Sequence, residues 1–410
     1  MRKFSQLVLG AMLSVAGVAF VGTSPVLAEK EAKSPYKVSA AEAAAILPVQ
    51  TAIQKKDAAA AAAALPAAKQ AAQGPDAKLI VGSLTLQLGQ MTNNAQLQSE
   101  GLDMMIDSGS KATGNLVELL KVQANMAIQA KNYPKAEAAL KRLVELTPND
   151  VDVTLMLSQI QTSQGRGTEA LAMLQRAIAQ QKAAGQQVPE NWYRAAVTSA
   201  YKAKLVPQVY GLSRDWIAAY PGPDSWRDSL TIYRQLGNPD KPTDIDTLRL
   251  MRAAHALKGE ADYFDLSDAL NKTGFPGETK AVLDEGIANN TFTRTKAPFA
   301  DMITSTQSRV AADRASLPAQ ERAALAAGSG TPALKMGDAY YGYGDYAKAA
   351  TLYRAALQKG SVDANLVNTR LGLALGQAGQ KAEAEAALKS VTGPRAELAS
   401  FALLWLSKRS

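Results

Sequence analysis

Between residues 337 and 360 the chain reads GDAYYGYGDYAKAATLYRAALQKG, and the placing of its large and small apolar residues defines a pair of helices. Ala349, Leu352, Tyr353, Ala356 and Leu357 recur at three-and-four spacing, which puts them on one helical face. The segment before them offers Ala333, Gly337 and Tyr340 in the same way. Gly342 and Gly344 separate the two patterns, Asp345 stands where a carboxylate caps the second helix, and Gly360 ends it. Thr331 and Pro332 are expected to start the first helix, the threonine as cap and the proline at the first helical position. Gly337 and Ala349 let the two backbones approach while tyrosines fill the space beside the crossing.

The same phrase recurs. AKNYPKAEAALKRLVELTPND has Asn132-Tyr133 as the turn and Ala136 and Leu140 on the buried face; QGRGTEALAMLQRAI has Gly165, Ala170, Leu174 and Ala177; QAGQKAEAEAALKSV has Gly379, Ala384 and Leu388. The step from Lys131 to Gly165, or from Gly344 to Gly379, is about 34 or 35 residues, the period of a helix–turn–helix solenoid. The chain thus resembles the tetratricopeptide repeat family, with clear copies at 117–150, 151–180, 331–363 and 365–391 and a looser one at 190–221. Leu143 and Trp216 depart from the family pattern, standing where it prefers a small residue. The resemblance implies an all-α fold, a right-handed superhelix of helical hairpins, with repeats over 113–235 and again over 331–410, where a capping helix follows them.

Elsewhere the pattern is weaker. Residues 38–110 read as degenerate hairpins turning at Lys56-Asp57 and near Asn93-Asn94, although the alanine-rich part of 38–75 could also be a spacer. Residues 240–330 read as an irregular helical stretch with a degenerate repeat around a Gly-Phe-Pro-Gly turn and a longer helix interrupted near Pro318.

The amino terminus changes the compartment expected. Arg2 and Lys3 precede an apolar run from Leu7 to Val21, and Val26-Leu27-Ala28 follows, the order of a cleavable signal peptide over residues 1–28. The run is about 15 residues, short of the roughly 20 that span a bilayer, and no later stretch is apolar enough. A charged lead-in at 29–37 is expected to be disordered. The mature chain is therefore expected to be periplasmic or secreted, without a transmembrane segment. Its formal charge is the full chain's +8 less Arg2 and Lys3, or +6, a mild excess that reads first as solvated surface and second as a sign of an anionic neighbour such as an acidic polysaccharide, and nucleic acid is not an expected partner.

Catalytic chemistry is thinly provided. Cysteine is absent, which removes disulfides, thiolate metal sites and a cysteine nucleophile. His255 is the lone histidine and reads as a packing or surface residue, so neither a Ser-His-Asp triad nor a zinc site is expected. Asp240, Asp244 and Asp246 lack the glycine and terminal glutamate of a calcium loop and read as turn residues and a helix cap. No enzyme activity and no cofactor are expected; an envelope hydrolase is the weakest alternative.

Binding is the stronger expectation. The family resemblance implies a partner-binding inner wall on the first helix of each repeat: Lys121, Asn125 and Gln129, then Asp152, Leu155, Gln159 and Thr162, then Asp338 and Tyr341, then Thr369. The expected partner is an envelope or exported protein, and the alternative is service in the assembly or export of a surface polysaccharide. The aromatic cluster around Trp192, Trp216 and Trp226 reads as core in preference to a sugar platform. In RAELASFALLWLSKR, Phe401, Leu404 and Trp405 belong to an apolar surface wider than one neighbour needs. That segment is expected to dock on a second copy, on a partner, or within its own chain.

Overall fold

The computed structural model of the protein describes residues 36–409, and every regular element among them is helical. The signal-like residues 1–28 and the lead-in up to residue 35 lie outside the described residues. The chain forms two compact units that meet in sequence at Gln187 and Val188. This division falls inside the stretch 113–235, so the loose copy at 190–221 belongs to the second unit.

The first unit pairs α1 (Ala40–Gln54) with α2 (Ala58–Ala71), α3 (Pro75–Met91) with α4 (Ala95–Ile106), α5 (Leu116–Gln129) with α6 (Tyr133–Leu146), and α7 (Val151–Ser163) with α8 (Gly167–Ala183). The alanine-rich segment is thus a hairpin, with Ile46, Val49 and Leu65 buried together with Val81 and Leu88 of α3. Leu120, Leu140, Leu143 and Leu157 build the next layer of core. Glu42 ties the first pairs together. Its carboxylate closes a capping box with Ser39 and also accepts from the N–H of Gln73 at 3.1 Å and of Gly74 at 2.7 Å, groups that lead into α3.

One turn recurs inside the pairs. The residue after the helix end is left-handed, and the next N–H returns to a carbonyl five residues back: Asn132 to Ala127 at 2.8 Å, Arg166 to Gln161 at 2.9 Å, and in the second unit Asp345 to Tyr340 at 3.0 Å. This closure satisfies carbonyls that the helix end leaves bare. The left-handed place is held by Lys131 (φ 56°) in the first case and by Gly344 (φ 81°) in the last. Asn132 and Asp345 then cap the following helices through the N–H groups of Lys135 and Lys348, each at 3.2 Å.

The second unit comprises α9 (Glu190–Lys202), α10 (Val206–Ala219), α11 (Pro223–Gly237), α12 (Lys241–Ala253), α13 (Gly259–Thr273), α14 (Pro276–Ala288), α15 (Phe299–Ala326), α16 (Thr331–Gly342), α17 (Tyr346–Lys359), α18 (Ala364–Gln377), α19 (Lys381–Lys389), a 3-10 turn (Gly393–Arg395) and α20 (Ala396–Lys408). Its helices from α10 onward share one continuous core from Ile217 to Leu406. The chain returns on itself within this unit: α12 packs against α18, and α10 against α20.

Two local expectations are corrected, and for the terminal helix the packing favours one of the alternatives, burial within its own chain. Pro318 does not interrupt α15, which runs unbroken for 28 residues; proline removes one N–H, and here the helix bears that loss. Gly330, not Thr331, is the N-cap of α16, and the Thr331 hydroxyl donates instead to Ser361 O at 3.2 Å. The terminal apolar helix is largely covered by its own unit. Phe401 is fully buried and meets Tyr233 edge-on at 6.1 Å, while Trp405 donates its indole N–H to Ala253 O at 3.1 Å. Leu404 is half-buried against the same core, so Phe401 and Trp405 are packing residues and offer no surface to another molecule.

Candidate functional site

The first-helix rows of the two units have opposite fates. In the first unit α5 and α7 lie in consecutive pairs, bridged by Lys121 Nζ at 3.1 Å from the carboxylate of Asp150, the cap of α7. Asn125, Gln129, Asp152, Gln159 and Thr162 are exposed along these helices, and half-buried Leu155 and Met156 stand among them. The side chains of Asn125, Gln129, Asp152 and Gln159 make no hydrogen bond or ion pair to any described residue. Polar side chains that the fold leaves unsatisfied and accessible, on the outside of a rigid pair of helices, are able to bond an incoming chain.

The second unit has spent its row on itself. Asp338, Thr369 and Tyr341 are not wall residues open to a partner: they are 2%, 0% and 7% exposed. Asp338 accepts from Tyr353 Oη at 2.8 Å and from Arg370 Nη1 at 2.6 Å, and the Thr369 hydroxyl donates to Asn365 O at 2.7 Å. Around Asp338 three acids and three arginines form one buried cluster. Arg249 donates to Glu278 (Nη2–Oε2 2.6 Å) and Asp246 (Nη1–Oδ1 3.1 Å), Arg370 Nε to Asp246 at 2.9 Å, and Arg395 Nη1 to Asp246 at 2.9 Å. Burial pushes the Asp338 carboxyl up and Arg370 and Arg249 pull it back. For Arg370 itself burial works against the charge, and Asp246 and Asp338 outweigh it, so its pKa is raised. The closed stoichiometry leaves each carboxylate held by a guanidinium, as the cost of burying charge requires.

Sequence reasoning placed part of this correctly. Asp240 does cap α12, accepting from Thr243 N at 2.9 Å, whereas Asp246 is no turn residue but lies wholly buried inside that helix. Arg249, Glu278, Arg370 and Arg395 were not singled out. A signal existed for Arg370, because it stands three residues after Val367 and four before Ala374, both of them buried. Of the aromatic cluster, Trp216 and Trp226 are core and Trp192 is half-buried, so no open platform is formed by them. His255 is exposed at the end of α12 in a left-handed conformation. No group of side chains suited to a metal ion occurs among the described residues, and none of their helices is long and apolar enough to cross a membrane.

Comparison with known families matches two segments. Tetratricopeptide repeat models match residues 127–187, which run from the end of α5 through α8, and residues 334–397, which run from α16 into α20. Among solved structures, a tetratricopeptide repeat protein from Parabacteroides merdae ATCC 43184 is similar at 12% identity, over 82% of this chain and 100% of that one, with a TM-score of 0.25. The TPR domain of P58(IPK) is similar at 13% identity, over 83% and 89%, with a TM-score of 0.25. No curated protein sequence matches. The two matched segments are similar to tetratricopeptide repeats, a kind of repeat that suggests a protein-interaction scaffold, and every regular element among the described residues is helical.

Proposed function

We propose that the protein is a non-enzymatic scaffold of the cell envelope or the secreted fraction, which holds a protein partner on the α5–α7 wall of its first unit. The observation that carries this reading is the contrast between the rows: Asp246 and Arg249 of α12, Asp338 of α16 and Thr369 and Arg370 of α18 are buried and paired, while Asn125, Gln129, Asp152 and Gln159 are exposed and unpaired among the described residues. Many weak polar contacts beside Leu155 and Met156 suit an extended or helical segment of another chain. The compartment rests on the residue pattern at 1–28 alone. The three acids of the buried cluster are paired with arginine, which leaves none of those three as a free general base.

The test is site-specific photo-crosslinking in the full chain at positions 125 and 159, with position 347 on the exposed face of α17 as control. Both wall positions should join the same protein and the control should not. Equal adducts from all three positions, or none from the wall, would sink the proposal. Replacing Lys121, Asn125 and Gln159 together by alanine should abolish the adducts of a crosslinker at Gln129 while leaving the melting temperature within about the small range of surface substitutions.

A further inference from the structure

A second polar feature of the second unit stays open. Beside the ion cluster lies a cavity of about 240 Å³, lined by Arg252, Glu285, Tyr341, Tyr346, Gln377 and Arg409, with Arg249 and Glu278 of the cluster also on its wall. It is therefore sized for a small molecule, below the roughly 300–1,000 Å³ of drug-sized sites.

Its donors outnumber its acceptors. Arg249 is spent on Glu278, Asp246 and Asp338. Arg252 gives Nε to Glu285 at 2.7 Å, and its two terminal nitrogens bond nothing among the described residues. Arg409 gives Nη1 to the amide oxygen of Gln377 at 3.0 Å, packs its guanidinium over Trp405 at 4.8 Å, and has no carboxylate partner among the described residues. Glu285 is already committed to Arg252 and to Tyr263 Oη at 3.2 Å. Tyr341 is the telling residue. It is more than nine-tenths buried, it lines the cavity, and its hydroxyl has no partner among the described residues. The hydroxyl is reached from the cavity, so it is placed to donate to an acceptor that enters there.

The charges narrow the ligand. Arg249 and Glu278 cancel within the cluster, and Arg252 cancels against Glu285, which leaves the positive charge of Arg409, with the imidazole of His255 also on the wall. Phosphate would bring about −1.5 to −2 charges against two lining glutamates, whereas a carboxylate brings one. A planar carboxylate also matches the fork of a guanidinium. The ring of Tyr346, edge-on to Tyr341 at 5.1 Å, supplies an aromatic wall for the rest of the molecule. We propose that this cavity is a binding site for a small molecule recognised through one carboxylate, with Arg409 and Arg252 as its cationic partners and Tyr341 as a neutral hydroxyl donor. Burial holds the Tyr341 pKa far above neutrality, so the donor keeps its proton.

A sugar acid and an acylated amino acid both offer this chemistry, and calorimetric titration of the full chain separates them. D-Glucuronate and N-acetyl-L-alanine are the two carboxylate probes, glucose the neutral counterpart, and inorganic phosphate the competing oxyanion. At least one carboxylate should bind, and glucose and phosphate should bind at least about tenfold more weakly. Tyr341→Phe removes only the unbonded hydroxyl and Arg409→Gln changes an exposed residue, so both should keep the wild-type melting temperature and weaken binding about tenfold. Absence of binding by both carboxylates up to about 10 mM, phosphate binding as well as they do, or unchanged affinity in both variants would overturn the proposal.

Discussion

Arg395 Nη1 lies 2.9 Å from Asp246 Oδ2 although the two residues are 149 positions apart in the chain. Asp246 is wholly buried and receives bonds from Arg249, Arg370 and Arg395, so three segments of the second unit converge on one carboxylate. Asp246→Asn would leave those guanidiniums short of an anion. Breaking a buried ion pair on one side typically costs about 3–5 kcal/mol. Hydrogen exchange should quicken across α12, α18 and the 3-10 turn, while α1 to α8 keep wild-type protection. A denaturation midpoint and exchange pattern identical to wild type would show that the cluster is not holding this unit together.

Glu42 predicts an acid sensitivity for the first unit. Backbone N–H donation by Gly74, then by Ser39, lowers its pKa from 4.5 to about 2. A carboxylate depressed in the folded state contributes stability that is fully present above the unfolded value near 4.5 and is lost as pH falls toward 2. Glu42→Gln should therefore destabilise the first unit at pH 7 by about 1–2 kcal/mol, in the range of a lost helix cap, and by little at pH 2. Urea titrations followed by exchange at Gly74 measure this. A variant deficit that stays constant from pH 7 to pH 2 would refute the assignment.

Gly337 marks the α16–α17 crossing. A Cβ built there would sit 2.6 Å from the Tyr353 ring, which is fully buried and anchored by its hydroxyl to Asp338. The ring has nowhere to move. Gly337→Ala should cost about 1–3 kcal/mol despite the better helix propensity of alanine, whereas Ala347→Leu on the exposed face should change stability by less than about 0.5 kcal/mol. Thermal melts of the two variants compare them directly, and equal melting temperatures would contradict the packing described.

Phe401→Ala tests whether α20 is a structural part of the second unit. Phe401 is fully buried, so the change should cost about 3–5 kcal/mol and raise exchange in α10 and α11, where Tyr233 lies. Light scattering should show no change of oligomeric state before unfolding. A stable variant with altered self-association would restore the interface reading of this helix.

The hairpins were legible because each rests on short-range rules: apolar spacing at three and four, a left-handed residue at the turn, and Asn132 or Asp345 as cap. Those rules act within about one repeat. Whether a first-helix polar residue faces solvent depends on which distant helix comes opposite, and that is set by pairs such as Asp246 and Arg370, 124 residues apart. Asn125 and Asp338 therefore read alike in sequence and differ in the fold: one is exposed, the other buried against Arg370 and Tyr353. Pro318 shows the same limit from the other side, since α15 keeps its course through a residue that local rules treat as a break.

The closure of the second unit on α20 also sets an order of events during synthesis. Asp246 is made early in that unit, but one of its three cationic partners is Arg395, and the helix that covers Tyr233 runs from Ala396 to Lys408. A growing chain at about 5–20 residues per second keeps residues 246 and 395 apart for roughly 7–30 seconds. For that interval the first unit has all its sequence and the second has an acid that still lacks one of its three guanidinium partners. The α20 segment is thus a latch that the chain delivers last, so any fragment ending before it leaves the second unit unshut.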